Sequence, residues 1–67
     1  MDICTRLGRN LRRLRLDKGW SQEDLAFEAQ IHRTYISDVE RGARNPTILI
    51  VEKLAKTLGV KSGMLLD

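Results

Sequence analysis

The stretch HRTYISDVER, residues 32–41, gathers side chains that donate or accept hydrogen bonds: His32, Arg33, Thr34, Tyr35, Ser37, Asp38 and Arg41, with Arg44 and Asn45 just beyond. Within it only Ile36 and Val39 are apolar enough to bury, and a separation of three puts them on one side of a helix. Such a helix has little core of its own and a polar front edge. The chemistry that suits the edge is recognition. An arginine there can bond O6 and N7 of a guanine together, worth ~1–3 kcal/mol of discrimination, and a threonine can meet a base edge or a thymine methyl. Tyr35 can pack on a sugar-phosphate chain or give its hydroxyl to a phosphate. Catalysis fits poorly. No paired carboxylate, His–Cys or Ser–His set or glycine-rich phosphate loop stands at a useful spacing, and so short a chain hardly encloses a substrate pocket. One cysteine, Cys4, and one histidine, His32, make neither an internal disulfide nor a zinc site. No enzyme activity, cofactor, metal or small-molecule ligand is therefore expected.

The elements that must hold this edge can be read from their punctuation. No alternating β-branched run bounded by hairpin turns occurs. A first helix is expected from about Ile3 to Lys18, with Leu7, Leu11 and Leu14 inward, arginines on its other faces and Gly19 closing it. Ser21 is a good N-cap for a second helix, with Asp24 at the capping-box position and Trp20 placed to staple onto Leu25. Leu25, Ala26 and Ala29 form its narrow apolar stripe, while Trp20 and Phe27 are expected in the core. The sequence QIH breaks that helix, and a third runs from about Arg33 to Arg41 before Gly42. After the loop ARNPT, Thr47 caps a fourth helix carrying Ile48, Val51, Leu54, Ala55 and Leu58, which Gly59 ends. Ser62 is expected to cap a last turn with Met64, Leu65 and Leu66. The expectation is an all-α, compact five-helix bundle forming a single domain over residues 1–67. Helices two and three are too short to stand alone, and Ala26 and Ala29 allow another helix close approach. Two short helices meeting steeply make a helix-turn-helix, whose second helix offers its N-terminal residues to the major groove. Free N–H groups opening helix two, beside Gln22, suit a phosphate.

Length and charge limit the alternatives. A chain of 67 residues buries only about 60% of its unfolded surface, so its stability is marginal without help, and a second subunit is the help left available. The longest apolar run, ILIV at 48–51, cannot span a bilayer and no signal segment opens the chain; the expected setting is cytoplasmic, without membrane partners. The net charge of +3 is unevenly spread: residues 1–20 sum to +4, 21–40 to −4 and 41–67 to +3. Basic segments around an acidic centre are consistent with contact patches on a polyanion or with a solvated surface. The arginines at 6, 9, 12 and 13 read as a solvated helix face, and Cys4 as a small apolar residue.

The segments GWSQEDLA, RTYISDVERG and NPTILIVEKLAKTLGV, at their observed intervals, resemble the Cro/CI-type (XRE-family) helix-turn-helix repressors from about Leu7 to Leu66. HRTYISDVERGARN is most similar to the small controller proteins of restriction–modification systems. The resemblance implies a lambda-repressor-like DNA-binding domain, a homodimeric regulator of transcription on a palindromic double-stranded operator. It implies base contacts from Arg33, Thr34, Ser37 and Asp38, an acid at 38 having to accept from a cytosine amino group. It implies DNA-backbone contacts from Gln22, Tyr35, Arg41, Arg44 and Asn45, with Gln22 also orienting the recognition helix. His32 is either another backbone contact or simply the residue that starts the helix. Glu40 is implied to pair with Arg15 as a partly buried structural bridge. Where relatives place glycine in the turn this chain has Gln30, at a left-handed position costing a non-glycine residue roughly 1–2 kcal/mol.

Relatives tend to be polar at positions matching Leu49 or Ile50. With Ile48 and Val51 expected in the core, Leu49 and Ile50 should form an apolar patch with Val60, Met64 and Leu65. Exposed patches of this kind mark interfaces, here a two-fold dimer surface. The competing function is a protein-interaction or antitoxin-type module on the same fold, which would have no need of Gln22, Arg33 and Thr34 together.

Overall fold

The computed structural model describes residues 2–67; Met1, the first residue of the expected domain, lies outside them. Five helices follow one another, α1 (Ile3–Asp17), α2 (Gln22–Ala29), α3 (Arg33–Glu40), α4 (Ile48–Leu58) and α5 (Gly63–Leu66), and no strand occurs among the described residues. The all-α, five-helix architecture read from the sequence is the one observed. α3 packs on α1 and α2, α4 on α2, and α5 on α1 and α4.

Caps set the boundaries. Asp2 Oδ1 accepts from Thr5 N at 2.8 Å to open α1. Ser21 Oγ accepts from Asp24 N at 3.0 Å while Asp24 Oδ2 accepts from Ser21 N at 2.9 Å, the capping box expected at α2. Thr47 Oγ1 accepts from Ile50 N at 3.2 Å to open α4. Ser62 does not act as expected: its backbone is already helical and its side chain makes no cap bond. α5 is instead held by α1, since Asn10 Nδ2 donates to Leu65 O at 2.8 Å and Arg6 Nε to Leu66 O at 3.0 Å.

The core is one cluster of aliphatic and alanine side chains, with Leu11, Leu25, Ile36, Val39, Leu54 and Leu65 fully enclosed. Three apolar residues lie elsewhere than expected. Leu65 is 0% exposed, so it belongs to the core and not to a docking patch. Ile48 is 86% exposed, because α4 begins with it and the core ends at Val51. Phe27 is 80% exposed, because Leu25, Ala26 and Ala29 define the buried side of α2 and residue 27 projects from the other. Trp20 and Ile50 pack against the core only in part.

One close approach positions the recognition element. Gly8 of α1 lies against the end of α3, where a Cβ would stand 2.5 Å from Val39 O and 2.6 Å from Glu40 O. Any larger residue would push the two helices apart.

Candidate nucleic-acid interface

The α2–α3 turn rests on a left-handed residue. Gln30 has φ 56° and ψ 45°, its N–H donates to Phe27 O and Ala26 O, and Ile31 N donates to Ala26 O at 3.0 Å. His32 then extends the chain and caps α3, its Nδ1 accepting from Thr34 N at 3.1 Å. An imidazole that accepts at Nδ1 carries its proton on Nε2, which is left to donate outward. The helix-starting role of His32 is thus present in the structure.

Ile36 and Val39 are 0% exposed, and they fix α3 with Arg33 and Thr34 at its front, both exposed. Neither is covered by the protein's own chain. Ser37 and Tyr35 are half-buried on the following turn.

Behind this edge runs a hydrogen-bonded chain. Arg15 Nε donates to Glu40 Oε2 at 2.6 Å, its Nη2 to Glu40 Oε1 at 3.0 Å and its Nη1 to Trp20 O at 2.8 Å. The two side chains are 9% and 4% exposed, and the carboxylate raises the Arg15 pKa despite burial. Gln22 Nε2 donates to Glu40 Oε1 at 3.1 Å, and Gln22 Oε1 accepts from Arg33 Nη1 at 3.5 Å. A buried ion pair is therefore connected through one amide to an exposed arginine. Among the described residues no buried side-chain nitrogen or oxygen lacks a partner. The Gln22–Glu40 bond has no signature in the spacing of the two residues, which are distant in sequence and meet only through the turn.

A second cluster lies at the far end of α3. Asp38 holds two arginines, Arg41 through Nη2 on Oδ1, and Arg44 through Nη2 on Oδ2 at 3.3 Å. The Arg41 hydrogen bond, assisted by Arg44, draws the Asp38 pKa below its ordinary value. Arg44 also stacks over Tyr35, 4.6 Å from the ring centroid. Asn45 is exposed beside it. Asp38 thus orders two cations on the surface, a role its position as a candidate base reader did not suggest.

The candidate apolar patch is partly rearranged. Leu49 is 77% and Met64 44% exposed, whereas Ile50 and Val60 lie half-buried against the core and Leu65 is beneath it. Ile48 joins the exposed set, beside an apolar hollow of about 260 Å³ reaching Ile3, Cys4, Pro46 and Leu66. Among the described residues no cluster of His, Cys, Asp and Glu could hold a metal ion, and no helix is long and apolar enough to cross a membrane.

The helix-turn-helix family model matches residues 11–65. The control protein C.BamHI of Bacillus amyloliquefaciens is 54% identical over 61 residues, covering 90% of this chain and 75% of that protein. The restriction–modification controller C.AhdI of Aeromonas hydrophila superposes with a TM-score of 0.89 at 42% identity, over 92% of this chain and 94% of that one. The controller C.Esp1396I, solved as a tetramer on its natural 35 base-pair operator, superposes with a TM-score of 0.87 at 37% identity, over 97% and 86% of the two chains.

Proposed function

This chain belongs to the XRE family of helix-turn-helix regulators, which are DNA-binding proteins and not enzymes, and from that premise we propose that it is a restriction–modification-type controller of transcription. It acts on a two-fold operator as a homodimer of single-domain chains, in the cytoplasm, with no small-molecule effector. The observation that carries this reading is the uncovered front of α3, where Arg33 and Thr34 are exposed above fully buried Ile36 and Val39.

In this reading Arg33 and Thr34 enter the major groove and read base edges, with Ser37 behind them. Gln22 tethers Arg33 before binding, and its position at the first turn of α2 also suits a phosphate. His32 donates from Nε2 to the DNA backbone, and Tyr35, Arg41, Arg44 and Asn45 line the phosphate path at the other end of α3. Asp38 contributes mainly by holding Arg41 and Arg44; accepting from a cytosine would require it to release one of them. Leu49, Ile48 and Met64 form the exposed centre of the dimer surface, with Ile50 and Val60 at its base. The domain measures 27 × 23 × 21 Å, so two copies side by side can set their recognition helices about one DNA turn apart, ~34 Å.

Selection of bound duplexes from a random pool tests the proposal. A palindromic consensus is expected, and Arg33→Ala should relax it at one base per half-site, by ~1–3 kcal/mol, while the protein stays folded. Recovery of sequences without a consensus, or an unchanged consensus in the variant, would count against this reading.

A further inference from the structure

Asp38 stands where it competes with DNA for two cations. Gly42, with φ 74°, turns the chain back at the end of α3; its N–H donates to Val39 O at 3.0 Å and that of Ala43 to Asp38 O at 2.9 Å. The turn returns Arg44 over the helix that the chain has just left. One carboxylate therefore meets two guanidinium groups, Arg41 on Oδ1 and Arg44 on Oδ2. The Tyr35 ring holds Arg44 from the other side, 4.6 Å from its centroid. The two arginine side chains are 64% and 47% exposed, the carboxylate only 20%, so the cations reach solvent while their partner sits between them. A carboxylate offers a guanidinium the same pair of oxygens that a phosphate does. In the free protein both arginines are already engaged with such an anion.

A phosphate can take either arginine only by displacing Asp38, and the exchange frees an anion beside a polyanion. What that anion then meets depends on sequence. Asp38 follows the exposed Thr34 by four residues, one helical turn, and so shares its side of α3. Guanine and thymine show acceptors in the major groove, which repel a carboxylate; cytosine shows an amino donor, and adenine a donor beside an acceptor. Over a cytosine the freed carboxylate regains a partner. Over most other edges it regains none, and it keeps its arginines.

Resting on the DNA-binding reading, we propose that Asp38 makes two backbone contacts conditional on sequence: it withholds Arg41 and Arg44 from random DNA and yields them to phosphates where a base donor takes their place. Binding to random DNA depends almost wholly on phosphate contacts, so an internal anion that occupies two cations weakens it most. Discrimination then comes from penalising the wrong duplex, which counts as much as favouring the right one. Asp38 is in this sense a specificity-determining residue, acting through the two arginines as well as through any base it meets.

Affinities of the full chain for two duplexes, one carrying the consensus selected from the random pool and one scrambled, measured across ~50–200 mM salt, test it. In Asp38→Ala, shown by circular dichroism to be folded, the scrambled duplex should bind more tightly, and its log–log salt slope should steepen by ~0.9 for each arginine newly given to a phosphate. Preference for the consensus should fall by at least ~5-fold, the low end of what one base contact discriminates. Glu28→Gln, which removes a negative charge from an exposed position of α2, should leave both quantities as they were. In a chain already carrying Arg41→Ala and Arg44→Ala, adding Asp38→Ala should no longer steepen the scrambled-duplex slope. A wild type that selects a consensus while Asp38→Ala changes neither slope nor preference would overturn this proposal and leave the DNA reading standing. An equal change in Glu28→Gln, or one that persists without the two arginines, would overturn it as well, by reducing the effect to net charge. A chain that binds neither duplex would overturn both readings together.

Discussion

At the scale of single residues, the ion pair and the amide attached to it divide stability from recognition. Glu40 neutralises Arg15 where both are nearly enclosed. Glu40→Ala would leave that guanidinium buried without its partner, a loss of ~3–5 kcal/mol that removes a large part of a small domain's stability. Gln22→Ala leaves the pair intact. It should change stability by ~1 kcal/mol, the scale of one hydrogen bond, yet weaken specific and random DNA alike if Gln22 meets a phosphate. Thermal melts beside DNA titrations separate the two; equal melting temperatures for the two variants would show that the bridge is not structural. The Arg15–Glu40 pairing was available from family resemblance, whereas the Gln22 bond to it required coordinates. Asp38 supplies a pH test. Its pKa is depressed by Arg41 and Arg44, so its contribution to stability is present above the ordinary carboxylate value of 3.8 and is lost as pH falls through the lower folded value. Asp38→Asn should therefore bring the urea midpoints measured at neutral pH and well below the carboxylate range closer together. A gap as wide as in the wild type would deny Asp38 that role.

At the scale of elements, two positions make opposite demands on a side chain. Gly8 sits where a Cβ would press on the carbonyls of Val39 and Glu40, which are backbone atoms and cannot rotate aside. Gly8→Ala gains up to ~1 kcal/mol of helix propensity, and overpacking costs ~1–3 kcal/mol, so the net change should be a lower melting temperature. Gln30, at φ 56°, bears the cost of a left-handed backbone, and Gln30→Gly should recover ~1 kcal/mol, or ~4–8 °C in melting temperature. Melts of both variants check the pair; a Gly8→Ala protein as stable as its parent would mean that α1 and α3 are slack. The sequence revealed the caps at Ser21, Thr47, Gly19 and Gly59 because caps are local chemistry. It misplaced Ile48 because periodicity gives the side a residue faces and not where the partner helix stops. Phe27 was legible in principle: the wheel fixed by Leu25, Ala26 and Ala29 puts residue 27 outside, and only the habit of burying aromatics argued otherwise. For Leu65, three adjacent apolar residues in a four-residue helix left no period from which to choose the inward one.

At the scale of the whole molecule, the question is what a domain this small gains from a copy of itself. A specific interface takes ~800 Å² from each partner, a substantial part of the 4374 Å² that this chain exposes. Its stability should therefore rise with protein concentration, since association stabilises only the folded state. The exposed residues on the proposed surface are Leu49, Ile48 and Met64, and none of them supports the fold from within. Leu49→Glu can then place a charge in the interface without disturbing the core. The expected result is a folded monomer in sedimentation and a loss of ~10²–10⁴-fold in operator affinity, the advantage of binding two linked half-sites over one. Contact with a lone half-site should be unchanged, because the front of α3 is remote from the substitution in the chain and anchored separately through Ile36 and Val39. A Leu49→Glu protein that keeps its dimer mass moves the interface elsewhere. A monomeric variant that still grips the full operator as tightly as its parent removes the need for two-fold symmetry.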